Sequence, residues 1–192
     1  MWAFGEGNPY DRPRRFETLI RDLCGSAYAT GFWKRFRDNF ITEADVEAIA
    51  DIGFNSVRIP INWRVLMEDE PGIAFIEEGF QLIDRCIDWC EKYHLYVFLD
   101  LHGAPGGQTG AHIDDSIDNK PRLFMDADSH EKCLALWREI ARRYRDRWIV
   151  GGYDLHNEPI DHALPNMSHW QARLAAFYED CIRAIREEDD RH

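Results

Sequence analysis

The chain has 192 residues, enough for one domain or a piece of a larger one, and its 45% hydrophobic and 13% aromatic content can build a packed core. Against 35 acidic residues stand 23 basic ones, a formal net charge of −12. Such a surface repels phosphate backbones, which argues against a nucleic-acid partner, and no apolar run approaches the roughly 18–20 residues needed to cross a bilayer, so no membrane partner is expected.

The first 40 residues have no clear period and are rich in Gly, Pro, Arg and aromatic side chains. Pro9 and Pro13 disfavour a long helix before Arg14. The pattern predicts one helix over 14–23, closing at Gly25, and a short one over about 28–36. The stretch 1–8 lacks the basic-then-apolar plan of a signal peptide, and localisation stays open.

From Thr42 the signals sharpen. Thr42 with Asp45 three residues on reads as a helix N-cap followed by an acidic first turn, with Val46, Ile49 and Ala50 inward and Gly53 just past the end. A short strand is predicted over 54–60, ending at Pro60, and then a polar loop over 61–74. A long helix follows over 76–93, with Phe80, Ile83, Ile87 and Cys90 three and four apart. The nearly continuous apolar run over 95–101 suits a strand buried on both faces. It ends at His102-Gly103 and opens a loop over 103–128, a length that is usually functional when ordered. Ser129 is expected to cap a helix to about Arg147, with Cys133, Leu134, Trp137, Ile140 and Tyr144 on one face. Residues 150–159 read as a strand stopping at Asn157-Glu158-Pro159, where Pro159 biases Glu158 toward an extended backbone. A last helix is predicted over 168–188, with Leu174, Phe177, Cys181 and Ile185 inward.

The five cysteines, at 24, 86, 90, 133 and 181, do not form a zinc signature, because Cys86 and Cys90 are four apart with no matching second pair. They read as small buried hydrophobes, and free thiols lean toward a reducing compartment.

Strands alternating with long amphipathic helices imply an α/β fold with a parallel sheet. No Gly-x-Gly-x-x-Gly opens a helix and no phosphate-binding Gly-x-x-x-x-Gly-Lys motif occurs, which removes the nucleotide-binding sheets. Arg58, His102 and Asn157-Glu158 each fall at the C-terminal end of a predicted strand, the rim where a (β/α)₈ barrel gathers its functional residues. A cation, a neutral donor, an amide and a carboxylic acid on one rim suit polar-ligand chemistry.

The blocks Phe54-Asn-Ser-Val-Arg-Ile-Pro, Leu99-Asp-Leu-His-Gly-Ala-Pro-Gly-Gly-Gln-Thr-Gly and Tyr153-Asp-Leu-His-Asn-Glu-Pro resemble three successive blocks of glycoside hydrolase family 5, the cellulase family of retaining (β/α)₈ glycosidases. Their order and spacing match the second, third and fourth barrel strands. The resemblance implies that 1–192 is a single partial catalytic domain, a partial TIM barrel without the first strand or strands five to eight. It implies Glu158 as the general acid/base, Asn157 as the amide on the sugar 2-hydroxyl, Arg58 as support for the nucleophile carboxylate, and His102 as a lining of the −1 subsite. Gln108, with His112, Asp114 and Asp115, would border the cleft, and Trp63 would be either a stacking platform or plain packing. A retaining glycosidase needs a second carboxylate as nucleophile. In the family that Glu lies on the seventh strand, so this chain alone is expected to be inactive.

The expected ligand is a β-linked oligosaccharide or polysaccharide, a β-glucan or β-glucoside, with no cofactor and with a complementing barrel fragment as the possible protein partner. Two other readings stay open. One is a non-catalytic carbohydrate-binding or assembly module derived from such a barrel. The other is a metal-dependent barrel hydrolase using His102, His112, His156, Asp114 and Asp115, although His156 should point opposite to Asn157.

Overall fold

The computed structural model describes residues 9–161 and 164–192. Residues 1–5, which the resemblance matches to the loop after a first strand, lie outside them.

Pro13 occupies the first position of helix α1 (Pro13–Cys24), where its missing N–H costs nothing. Gly25, at φ 80°, separates it from α2 (Ser26–Asn39). Thr42 and Asp45 close the expected capping box on α3 (Glu43–Ile52), and Gly53 ends that helix in the left-handed region at φ 100°. Strand β1 (Ser56–Asn62) runs two residues beyond the expected stop at Pro60. Among the described residues β1 pairs only with β2, and an edge strand tolerates a proline that cannot donate.

The segment expected as a polar loop after β1 has an apolar underside. Trp63 begins a 3₁₀ turn, and Trp63, Leu66 and Met67 are at most 2% exposed. Helix α4 (Glu77–Lys92) packs directly on this turn. At Gly79 an added Cβ would stand 1.8 Å from the Val65 carbonyl oxygen, and the Val65 backbone has no slack to withdraw. Gly79→Ala is therefore expected to destabilise the fold by about 1–3 kcal/mol, the usual range for overpacking, even though alanine is the better helix former. An unfolding midpoint in urea equal to that of the unsubstituted chain would disprove this close approach.

Strand β2 (Tyr96–Gly103), helix α5 (Ala127–Tyr144), strand β3 (Val150–Asp154) and helix α6 (Met167–Arg186) complete the chain. Asp126, not Ser129, caps α5. Its carboxylate accepts from the N–H groups of Asp128 and Ser129 and from the Ser129 hydroxyl, so Ser129 lies inside the first turn. The sheet order is β1-β2-β3, all parallel, with Pro60, Asp100 and Asp154 at one level across the three strands.

One face of the sheet carries the core. Val97, Leu99 and Leu101 of β2 are fully buried beneath Phe80, Ile83, Ile87 and Cys90 of α4 and Trp137, Ile140 and Tyr144 of α5. Phe177, Cys181 and Ile185 of α6 extend it. The opposite face has no covering helix among the described residues. Tyr96 and Phe98 are therefore exposed (49% and 41%), correcting the expectation of a strand buried on both faces throughout. The cysteine expectation also needs one correction, since Cys24 is exposed while Cys90, Cys133 and Cys181 are buried.

Candidate active site

Arg58, Asp100 and Asp154 rise from neighbouring strands on the helix-free face, and one guanidinium ties them together. Arg58 Nε donates to Asp154 Oδ2 at 2.8 Å, Nη1 pairs with Asp100 Oδ2 at 3.0 Å, and Nη2 donates to Asn157 Oδ1 at 3.1 Å. Three nitrogens of a rigid fork thus brace three points on two further strand ends. Because arginine only donates, the Asn157 amide must present its oxygen to Arg58, leaving its NH₂ as a donor for another partner.

The same Asp100 oxygen lies 2.8 Å from His102 Nδ1. A carboxylate accepts, so the neutral ring carries its proton on Nδ1 and keeps Nε2 as an acceptor. Asp100 is completely buried, and its other oxygen has no hydrogen-bond partner among the described residues.

Strand β3 ends at Asp154, so Asn157-Glu158-Pro159 forms a turn beyond it and does not continue the strand. Glu158 sits at φ 41°, in the left-handed region, against the extended backbone expected before Pro159. Ile160 follows at φ 71°. Non-glycine residues enter this region at a cost, and do so where surrounding contacts over-determine the backbone. Here those contacts come from Gln108. Its Nε2 donates to the carbonyls of His102 (2.7 Å) and Asn157 (3.0 Å), its Oε1 accepts from Ala104 N–H, and its own carbonyl accepts from Ile160 N–H at 3.2 Å. Gln108 is fully buried, so it braces the rim from behind and does not border an open cleft.

The long loop that carries Gln108 is itself locked. Asp114 is buried and accepts the N–H groups of Thr109, Gly110 and Ser116 and the Thr109 hydroxyl. Asp115 accepts from Arg14 N–H and from the Arg64 guanidinium, and Arg12 reaches the Ser116 carbonyl at 3.0 Å. Helix α1 is thereby anchored to the loop.

The Glu158 carboxylate is exposed and makes no hydrogen bond or ion pair among the described residues. Trp63, like Gln108, is buried: it is 2% exposed, with Lys132 Nζ 5.7 Å from its ring centre, so it is packing with no ring face open to a sugar. His102, His112, Asp114 and Asp115 do line a common cavity of about 150 Å³ beside β1. Their ligand atoms do not converge on one point, and His156 lies on the helix side with Cys133 and Cys181. The five-residue metal reading therefore loses its geometry. Asp100 and Asp154 were not expected at the site. A charge inside the apolar run of β2, two residues before His102, was the available signal, since a buried carboxylate demands a partner.

A parallel sheet with its helices on one side, and polar residues gathered at the C-terminal ends of its strands on the other, defines a segment of a (β/α)₈ barrel enzyme. The family model "Cellulase (glycosyl hydrolase family 5)" matches residues 17–192. The chain belongs to that family. It is 34% identical over 178 residues to a beta-xylosidase of Phanerodontia chrysosporium, covering 93% of this chain and 36% of the relative. It is also 34% identical over 158 residues to endoglucanase C of Acetivibrio thermocellus, covering 82% of this chain and 42% of the relative. Among solved structures, endoglucanase Cel5A from Thermotoga maritima superposes with a TM-score of 0.58 at 26% identity, covering 79% of this chain and 42% of that one. The chain thus spans less than half the length of the relatives it matches.

Proposed function

We propose that the protein is a retaining hydrolase of β-linked glucans or β-glucosides in which Glu158 is the general acid/base. The observation that carries this reading is the state of the three carboxylates on β2, on β3 and just beyond β3. Asp100 and Asp154 are both held by Arg58, whereas Glu158 is exposed, unpaired, and fixed on a turn that Gln108 braces from behind. A carboxyl that must give up and take back a proton needs that freedom, and it needs a fixed backbone to place it. Asn157, oriented by Arg58, offers its NH₂ to a sugar hydroxyl, and His102, oriented by Asp100, offers Nε2.

The second carboxylate of a retaining mechanism must attack the anomeric carbon. Asp100 is a poor candidate because it is completely buried, and Asp154 because it lies on β3, whereas the resemblance puts the nucleophile on the seventh barrel strand. The 192 residues alone are accordingly proposed to be inactive, with the nucleophile supplied by the remainder of a barrel. The exposed Tyr96 and Phe98, and the edges of β1 and β3 left unpaired among the described residues, favour such a complement, on the same chain or a second one. The test is an assay of the 192-residue chain on an aryl β-glucoside, alone and with the rest of the barrel supplied. Turnover is expected only in the second case. Turnover by the chain alone that Glu158→Gln abolishes would overturn the claim of inactivity while supporting the acid/base assignment.

A further inference from the structure

Cys133 on α5, Cys181 on α6 and His156 on the segment after β3 meet in the helix layer, on the side of the sheet away from Arg58. Both cysteines are fully buried and His156 is 5% exposed. Their two sulfurs and one imidazole nitrogen all lie within 4.8 Å of one another. The sequence spacing gives no hint of this, since the three residues come from three separate elements.

The histidine is the unusual member. Its ring stacks on Phe177 at 5.0 Å and on Tyr178 at 6.3 Å, an apolar setting, and neither ring nitrogen has a hydrogen-bond partner among the described residues. Burial lowers the ring's pKa to about 3 and so keeps it neutral, the nearby Leu101 carbonyl opposing this only in part. A neutral imidazole carries one N–H and one lone pair, and burying both without partners is unfavourable. A metal-ligating imidazole has this arrangement resolved, with its N–H toward a backbone carbonyl and its lone pair on the ion.

We propose that Cys133, Cys181 and His156 form a buried site for a thiophilic d¹⁰ metal ion, Zn²⁺ in preference to Cu⁺. Thiolate sulfur and imidazole nitrogen are donors that such ions select, and the fourth position of a tetrahedral zinc would fall to a water. With both thiols giving their protons to solvent, two thiolates and a neutral imidazole exactly balance Zn²⁺, so no net charge is buried. Cu⁺ on the same donors would leave one. At Zn–S and Zn–N distances of about 2.3 and 2.0–2.1 Å, the donors would stand roughly 3.5–4 Å apart, a contraction of at most about 1 Å from their present separations. The ion would join both helices to the residue immediately before Asn157-Glu158, and so stiffen the back of the rim. The proposal does not depend on the glycosidase reading.

The test uses the chain purified under reducing conditions, loaded with zinc chloride, dialysed against a weak chelator, and measured for bound zinc and thermal unfolding. About one zinc per chain is expected, with a higher unfolding midpoint than the zinc-free protein. Cobalt(II) in place of zinc should give the intense ultraviolet bands of thiolate-to-metal charge transfer. Cys133→Ala, Cys181→Ala and His156→Phe should each lose the zinc, and His156→Phe keeps an aromatic ring against Phe177 should a cysteine variant fail to fold. Folded wild-type chain that binds less than a tenth of an equivalent would overturn the site. So would zinc retained by all three variants, or a Cys133–Cys181 disulfide forming under conditions where no zinc binds.

Discussion

Glu158→Ala in the complete barrel is expected to lower kcat/KM on an unactivated β-glucan by about 10²–10⁴-fold, the usual contribution of a positioned general acid. The loss should depend on the substrate. An aryl glycoside with a good leaving group departs without a proton, so its glycosylation step is largely spared and the glycosyl-enzyme accumulates. Water then attacks slowly, because no base remains to activate it. Azide, already an anion, needs no base. It should restore turnover of the aryl substrate and yield a glycosyl azide of retained configuration. The pattern distinguishes chemistry from folding, since a misfolded variant is not rescued by an anion. Unchanged activity on the unactivated glucan would remove Glu158 from the mechanism, and loss without azide rescue would leave it a structural residue.

Why the acid sits where it does was only partly legible in the sequence. Local signals read correctly where local physics decides: the Thr42–Asp45 box, the left-handed Gly53, and the inward faces of α4 and α5 are set by residues three or four apart. The parallel sheet followed from strands alternating with helices, and the gathering of Arg58, His102 and Asn157 at one rim from their places at the ends of predicted strands. The errors lie where a distant residue overrides a neighbour. Pro159 should extend Glu158, yet Gln108, some 50 positions earlier, holds the turn by Asn157 and Ile160 and puts Glu158 at φ 41°. Trp63 stands in a stretch that reads as polar loop, and burial by Leu66, Met67 and α4 cannot be seen from its neighbours. Asp100 vanished into an apolar run because its partners, Arg58 and His102, come from another strand and from its own far end. The cysteines illustrate the same limit, since Cys133 and Cys181 look like separate helix-core residues until the fold sets them beside His156.

Arg58→Gln is expected to cost about 2–4 kcal/mol of stability, because it leaves Asp100 buried with His102 as its only partner among the described residues. The figure is set below the full cost of breaking a completely buried pair, since the guanidinium is 40% exposed and partly screened. Arg58→Lys should recover little. One ammonium group cannot reproduce contacts made by three separate nitrogens to Asp154, Asp100 and Asn157. The diagnostic variant is the pair Arg58→Gln with Asp100→Asn, in which the uncompensated charge is gone. If the cost of the single variant comes from that charge, the double variant should regain more than half of it in urea unfolding, a coupling well above the 0.5 kcal/mol expected of independent sites. Activity should not return with stability. Without Arg58 the Asn157 amide is free to rotate, so the NH₂ proposed to meet the sugar is no longer fixed, and the complete barrel carrying the double variant should remain impaired in kcat. Simple additivity of the two substitutions would show that Arg58 and Asp100 do not act as one unit, and a double variant with full kcat would show that the rim does not need the arginine to aim Asn157.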